Sequence, residues 1–298
     1  MRYAGHDERM VPVTSAVSED DKRQVRAIVR KSGSSFYWAM RLLPRKRREA
    51  MFALYALARE LDDIADEPGE PTAKLSKLEA WKKEIDALYA GIPNSPISRA
   101  LLPAIQYFKL DKREFLELIA GMETDVKGPV IAPSEEDLHL YCRRVAGTIG
   151  LLSLAIFGRD EEEAKTFSLA LADALQLTNI LRDLTEDAAM GRLYLPKELL
   201  KRHGVSGATP EAIIRHENLH RVCEELVGQA EEHFRDAREA LKKVGAEHLR
   251  PAIIMMAVYH EILQRLKRRG WRQLTPKLSL SGSAKAWIAF RHLLTVQP

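Results

Sequence analysis

Two pairs of aspartates carry the strongest chemical signal in this sequence. Asp62 and Asp66 form the first pair, and Asp183 and Asp187 form the second, each four positions apart inside an apolar segment. Four residues make about one helical turn, so the two carboxylates of a pair project from one face of a helix. Buried carboxylates are costly without a compensating partner. Two such faces meeting across a cavity therefore predict an oxygen-rich site for hard divalent cations, usually Mg²⁺ that carries a substrate diphosphate.

A single pair of this kind is most often a solvated charge pattern, so the second copy decides the interpretation. Asn179 precedes Asp183 by four positions, which places three oxygen ligands on one stripe of the second segment. An arginine also accompanies each pair, Arg59 in the first segment and Arg182 in the second. The combination favours a site for metal and diphosphate over an exposed polar face.

The composition is that of an ordinary globular protein, with 46% hydrophobic and 30% charged residues among 298. The net charge of +4 is too small to indicate nucleic-acid binding. Cys142 and Cys223 lack the spacing of a metal or redox site, which favours a reduced, cytoplasmic environment. No apolar run approaches the ~20 residues of a membrane span, and the N-terminus lacks a signal-peptide core. We predict a flexible lead-in over residues 1–20 and one domain over residues 21–298.

Nearly every segment after residue 20 has helical periodicity, so the sequence predicts one all-α domain whose central helices face each other across a cavity. Both aspartate pairs fall on helices that are apolar on more than one face and therefore interior. A polar patch at the end of an apolar cavity suits an amphiphile with an anionic head and a long hydrocarbon tail. The predicted helices span residues 20–31, 45–66, 72–90, 95–108, 112–126, 134–157, 161–188, 209–243, 249–269 and 283–294.

From about residue 30 to residue 280 the sequence resembles the squalene/phytoene synthase family of head-to-head isoprenoid synthases. The ordered motifs that carry the resemblance are Ser35-Phe36, YALARELDDIAD over 55–66, YCRRVAGTIG over 141–150 and QLTNILRDLTEDAAMGRLYLP over 176–196. Segments 33–44 and 121–125 are similar to the bacterial branch that makes presqualene diphosphate for hopanoid biosynthesis. The resemblance implies the helical terpenoid-synthase fold with a central apolar cavity.

The resemblance also implies roles for individual residues. The implied ligands of Mg²⁺, or of Mn²⁺ on the same oxygens, are Asp62, Asp63, Asp66, Asn179, Asp183 and Asp187. The implied contacts to substrate are Ser35, Phe36, Tyr55, Arg59, Gln176, Arg182, Arg192, Tyr194 and Tyr259, with Tyr141 near the reacting carbons. Gly33 stands where many relatives have a serine. Tyr55 and Tyr259 also fit core tyrosines, and Arg182 also fits a salt bridge to Glu186.

The implied activity is that of a transferase that condenses two farnesyl diphosphates to presqualene diphosphate and diphosphate, without NADPH. A phytoene synthase acting on geranylgeranyl diphosphate and a squalene or dehydrosqualene synthase are the alternatives within the family. A catalytically silent assembly subunit is the non-enzyme alternative, which the intact aspartates disfavour. We expect no nucleic-acid partner, enzymes of the squalene and hopanoid pathway as partners, and peripheral association with the inner face of the membrane. The basic runs 45–48 and 267–269 favour solvated helix ends over lipid contacts.

Overall fold

Helices dominate the computed structural model, which describes residues 17–32, 35–128 and 130–295. Within these ranges the only β-type backbone pairing is one isolated bridge between Ile131 and Leu193. The predicted all-α class is therefore confirmed. The helices are α1 Glu19–Lys31, α2 Ser35–Arg41, α3 Arg45–Asp66, α4 Pro71–Tyr89, α5 Pro96–Phe108, α6 Lys112–Lys127, α7 Glu135–Cys142, a π-helical turn Arg143–Gly147, α8 Thr148–Phe157, α9 Glu162–Ala189, α10 Lys197–Arg202, α11 Pro210–Ile214, α12 Leu219–Val244, α13 Arg250–Arg269 and α14 Gly282–Thr295.

The predicted helix over residues 209–243 is wrong, because the structure has α11 and α12 there with a break between them. The break contains neither glycine nor proline, so hydrophobic periodicity runs through it. It is held instead by Asn218, whose backbone N–H donates to His216 Nδ1 at 3.1 Å and whose side chain donates to the His203 carbonyl at 3.2 Å. Helices α2 and α10 were not predicted, since each is too short to show a repeating apolar stripe.

The predicted helix over residues 134–157 is continuous but contains the π-helical turn between α7 and α8. Turns of this kind are rare and occur often at functional sites. Arg143 at its start donates two hydrogen bonds to the nearly buried carboxylate of Glu114 on α6, at 2.9 and 2.8 Å. This bidentate pair ties the turn to α6 and sets the position of the side chains that follow it.

Residues Glu135–Phe157 are long and apolar enough to cross a membrane by length and composition, so the expectation that no segment approaches the length of a membrane span is wrong. The core helix of a soluble protein passes the same test, and 39% of the window is buried. Here the segment packs against α6 and α9. Several of its apolar side chains, among them Ile149 and Leu154, line a cavity, whereas Leu140 is exposed. Packing and the cavity wall therefore account for most of its apolar composition.

Helix α9 is the central helix of the structure. It packs along α12 on one side and against the π-helical turn, α8 and α13 on the others. Phe167 on α9, Phe115 on α6 and Phe234 on α12 are among the largest fully buried side chains. Helices α3 and α8 complete the enclosure, so the two helices that carry the aspartate pairs both belong to the interior, as predicted.

The first helix is attached to α5 by an ion pair. Residues 1–16 of the predicted lead-in lie outside the described residues, whereas Glu19 and Asp20 already belong to α1. Asp21 is 4% exposed, and its two carboxylate oxygens accept hydrogen bonds from Arg99 at 3.0 and 2.7 Å. These hydrogen bonds hold the pKa of Asp21 below its usual value.

We expect Asp21→Asn to lower the free energy of unfolding by about 1–2 kcal/mol at neutral pH. Because the folded pKa of Asp21 is depressed, its contribution is present above the unfolded pKa of about 3.9 and is lost as pH falls through the folded value. Urea denaturation at a series of pH values should show the variant and parent converging in acid. Asp20→Asn, at the exposed neighbouring carboxylate, is the control, and an equal loss there would contradict the assignment.

Helices α8 and α9 approach each other closely at Gly150. A Cβ at this position would lie 2.6 Å from Ser168 Oγ and 3.3 Å from the Ser168 carbonyl oxygen. We expect Gly150→Ala to cost about 1–3 kcal/mol of stability, because the backbone contact cannot yield freely. Gly228→Ala on the exposed face of α12, where a Cβ meets nothing within 4 Å, should instead stabilise by about 0.5–1 kcal/mol. Thermal and urea unfolding of both variants would check this, and a neutral Gly150→Ala would refute it.

Candidate active site

A polar chamber and an apolar cavity meet at the centre of the helix bundle. The chamber has a volume of about 510 Å³, and the cavity has a volume of about 220 Å³. Val145, Gln176 and Asn179 line both. The structure thus has the polar patch at the end of an apolar cavity that the sequence predicts. The apolar walls come from α2, α3, α8, α9 and α13 and include Phe36, Met40, Met51, Leu154, Phe157, Phe167, Leu171, Leu175, Met255 and Tyr259.

Helix α3 supplies the first aspartate pair to the chamber. Arg59 donates to Asp62 at 3.0 Å, and Arg192 donates to Asp66 at 2.6 Å. Asp63 does not line the chamber and forms an ion pair with Arg59. Burial against the chamber wall, followed by the charge of Asp66, raises the pKa of Asp62 to about 6.

Helix α9 supplies the second pair, in which Asp183 is the fully compensated member. Arg182 donates to its two carboxylate oxygens at 2.7 and 2.6 Å, and Lys277 lies 2.9 Å away. Burial opposes the ionisation of Asp183, but the hydrogen bonds from Arg182 outweigh it and hold the pKa below its usual value. The alternative salt bridge between Arg182 and Glu186 does not form, since Glu186 lies 3.6 Å from Lys277 instead.

Asp187 and Asn179 present side-chain oxygens to the chamber that lack partners among the described residues. In the described part of the structure no hydrogen bond or ion pair reaches the Asp187 carboxylate, and burial, followed by the charge of Asp183, raises its pKa to about 7. The Oδ1 atom of Asn179 is buried and accepts no hydrogen bond. An orphaned buried acceptor requires an explanation, and a bound cation supplies one.

Acidic side chains outnumber basic ones in the chamber. Six carboxylates and four cationic groups line it: Asp62, Asp66, Asp125, Asp183, Glu186 and Asp187 against Arg59, Arg182, Arg192 and Lys277. Among the described residues, no three His, Cys, Asp or Glu side chains are already gathered around one point that could hold an ion. The donors are nevertheless all oxygen atoms, which fit Mg²⁺ or Mn²⁺, and the arginines that now pair with them are suited to diphosphate.

Asp125 is a chamber residue to which the sequence interpretation gave no role. The hydroxyl groups of Tyr194 and Tyr141 donate to its carboxylate at 2.6 and 3.1 Å, and the two tyrosine rings stack 4.8 Å apart. Burial raises the pKa of Asp125 in spite of these hydrogen bonds. The motif 121–125 was the available signal, but it carried no chemical assignment. Lys277 was also missed, because nothing in its irregular segment marks it as a site residue.

The structure brings most of the remaining predicted residues to the same site. Tyr55, Gln176 and Arg192 line the chamber, while Phe36 and Tyr259 line the apolar cavity. Tyr55 and Tyr259 therefore contribute to cavity walls and are not simply core tyrosines. The side chain of Ser35 and all of Gly33 lie outside the described residues, so their predicted contacts stay predictions.

Sequence comparison identifies the family from which this arrangement comes. The profile of the family described as Squalene/phytoene synthase matches residues 29–284, which is most of the chain and includes both aspartate pairs. The chain belongs to the squalene/phytoene synthase family.

Individual relatives of this squalene/phytoene synthase family member cover nearly its whole length. It is 40% identical over 262 residues to presqualene diphosphate synthase of Rhodopseudomonas palustris, which spans 88% of this chain and 94% of the relative. It is 37% identical over 281 residues to presqualene diphosphate synthase of Zymomonas mobilis, spanning 94% and 96%. A solved dehydrosqualene synthase in complex with ligand superimposes with a TM-score of 0.82 at 27% identity, covering 93% of this chain and 96% of that one.

The two aspartates of α9 should differ in their effect on the stability of this family member. Asp187 faces other carboxylates without an ion pair, so Asp187→Asn should leave the free energy of unfolding unchanged or raise it. Asp183→Asn leaves Arg182, which is 19% exposed, without its bidentate partner and should cost about 1–3 kcal/mol. Urea denaturation at neutral pH measures both, with Asp86→Asn at an exposed ion pair as the control. Equal destabilisation by the two α9 variants would contradict the pairing scheme.

Proposed function

We propose that this chain is a Mg²⁺-dependent prenyltransferase that joins two molecules of farnesyl diphosphate into presqualene diphosphate, releasing inorganic diphosphate and a proton. The observation that carries the proposal is the continuity of the polar chamber with the apolar cavity at Val145, Gln176 and Asn179. An amphiphile with a charged head and a hydrocarbon tail fits this pair of compartments. The presqualene diphosphate synthases at 37–40% identity support the C15 substrate.

The residues proposed to hold the metal are the oxygen donors of the chamber. Asp62 and Asp66 lie on α3, and Asn179, Asp183 and Asp187 lie on α9. The Asn179 Oδ1 atom and the Asp187 carboxylate have no partner in the part of the chain that the structure describes, so both can coordinate a cation without breaking an existing contact. Asp63 lies outside the chamber and contributes indirectly, by holding Arg59 in an ion pair. When bound, Mg²⁺ supplies positive charge to the diphosphate and makes it a better leaving group.

The chain's own cations act on the same diphosphate oxygens. Arg59, Arg182, Arg192 and Lys277 line the chamber, each beside at least one carboxylate. A guanidinium binds two phosphate oxygens at once, and this interaction strengthens as negative charge develops on the departing diphosphate. In this proposal the arginines exchange an aspartate partner for a diphosphate oxygen when substrate enters, and the aspartates that they release become available to the metal.

The apolar cavity protects the carbon chemistry. Departure of diphosphate from one farnesyl chain leaves an allylic cation, which the C2–C3 double bond of the second chain attacks. The walls contributed by Phe157, Phe167, Leu171 and Met255 exclude bulk water that would otherwise quench the cation. Loss of one proton then closes the cyclopropane, and the second diphosphate stays on the product. No reductant is consumed, so the balance of this step does not require NADPH.

The proton lost at ring closure has two candidate acceptors in the site, which are the expelled diphosphate and the hydroxyl oxygen of Tyr141. Tyr141 projects into the chamber beside Val145 and donates its own hydrogen bond to Asp125. Burial and the neighbouring Asp125 raise the pKa of Tyr141, which keeps its hydroxyl neutral. The hydroxyl can thus accept a proton on oxygen only as it passes its own to Asp125. This arrangement supports Tyr141 as the catalytic residue nearest the reacting carbons.

Product analysis by mass spectrometry tests the proposal. Purified protein with Mg²⁺ should convert farnesyl diphosphate to presqualene diphosphate with and without NADPH, and enzymes of the squalene and hopanoid pathway would consume that product. Asp187→Asn should retain the fold but lose product by about 100-fold or more, since it removes a proposed ligand. Squalene formed only with NADPH, or phytoene formed from geranylgeranyl diphosphate, would reassign the reaction within the family. No product from either substrate would refute an enzymatic role.

A further inference from the structure

Positive charge in this chain is concentrated at its C-terminal end. Residues 262–298 contain eight Lys and Arg residues and no Asp or Glu. The preceding residues 1–261 contain 38 basic and 42 acidic residues, so they are net negative. Lys277 pairs with Asp183, and Arg265 and Arg268 pair with Glu261, but a net positive segment on a net negative chain still favours an anionic partner.

Several basic residues of this segment are exposed on one surface formed by α13, α14 and the residues between them. Lys267 and Arg268 are exposed in the last turn of α13, Arg272 is exposed three residues after the helix, and Arg291 is exposed on α14. Trp287 on α14 is 64% exposed, which is unusual for the largest amphipathic side chain. We call these five residues, together with Lys285, the C-terminal basic face.

A groove of about 670 Å³ lies between α13 and α14 and shares Trp287 and Arg291 with this face. Its apolar lining comes from Met256, Ala257, Ala284, Trp287 and Ile288. Its charged lining is mainly basic, with Arg238, Arg265 and Arg291 against Glu261, which already accepts a hydrogen bond from Arg265 at 2.7 Å. An apolar groove with a tryptophan at its edge and cations around it has the composition of an interfacial membrane-binding surface.

Helix α13 separates this groove from the site of chemistry. Ala252, Met255 and Tyr259 on one face of α13 line the apolar cavity, while Met256, Ala257 and His260 on another face line the groove. A membrane docked on the groove would therefore lie one helix away from the cavity. An amphiphilic product whose hydrocarbon chains leave the cavity beside α13 would have a short path to lipid.

We propose that the C-terminal basic face docks this protein on an anionic lipid bilayer, with Trp287 entering the headgroup region and the surrounding Lys and Arg residues contacting lipid phosphates. This docking replaces the solvated role that the sequence alone favours for Lys267 and Arg268, because both are exposed on α13, the helix that lines the groove together with Trp287 of α14. Tryptophan prefers the membrane–water interface, and each basic residue near an anionic surface adds to the attraction. The docking is electrostatic in part, so it weakens as ionic strength rises. It requires neither turnover nor bound substrate, and it therefore stands apart from the proposed reaction.

Flotation with lipid vesicles tests the docking on the full chain. The protein should bind vesicles of phosphatidylcholine with phosphatidylglycerol at low salt and should bind pure phosphatidylcholine vesicles far less. The combined variant Lys267→Gln, Lys285→Gln and Arg291→Gln should reduce the partition coefficient on the order of 100-fold. The matched control Lys31→Gln, Lys83→Gln and Lys201→Gln removes the same charge from exposed positions on α1, α4 and α10 and should change it little.

The role of Trp287 is tested separately by fluorescence. Brominated lipids should quench the tryptophan emission of the parent, and Trp287→Ser should abolish most of that quenching while circular dichroism shows an unchanged fold. Equal binding to neutral and anionic vesicles, or equal loss in the control triple variant, would overturn the proposal. Binding to duplex DNA as tight as to the vesicles, with no effect of Trp287→Ser on either, would instead identify a general polyanion surface and would also overturn it.

Discussion

The crowding of carboxylates around one end of an apolar cavity is the constraint on which the rest of the structure depends. Six acidic side chains face a chamber that also borders hydrocarbon, and two of them, Asp62 and Asp187, have strongly raised pKa values because burial and neighbouring carboxylates oppose their charge. Such a cluster persists only where rigid elements hold cations against it. Arg182 and Arg192 do so here, each within 2.6 Å of a carboxylate oxygen.

The rigid elements are long helices whose opposite faces satisfy different requirements. Helix α9 packs along α12 with one face and presents Asn179, Asp183 and Asp187 to the chamber with another. The indole N–H of the buried Trp271 lies 3.4 Å from the Leu181 carbonyl, which ties the segment after α13 to α9. The same irregular segment carries Lys277, which lies beside Asp183. This chamber cation thus comes from a segment that the buried Trp271 attaches to α9.

The same division between polar and apolar surfaces explains why one segment has the composition of a membrane span. Residues Glu135–Phe157 pack against α6 and α9, and several of their apolar side chains line the cavity. The π-helical turn within them is held by Arg143 on Glu114, and it lies between Tyr141 in the chamber and Ile149 in the cavity. Charged residues are also unevenly distributed over the chain. Acidic side chains are concentrated at the chamber, and Lys and Arg residues are concentrated in the C-terminal segment.

The sequence by itself determined the long helices and most of the candidate donors, because both are encoded by local periodicity and four-residue spacing. The predicted bounds of α3, residues 45–66, agree with the structure for this reason, whereas the break before Asn218 is made by side-chain contacts that leave no periodic signal. Only the tertiary structure decided which carboxylate has a cation. It left Asp187 unpaired and added Asp125, since both outcomes depend on distances between segments far apart in the chain. It also showed that Asp63 pairs with Arg59 of its own helix and lies outside the chamber.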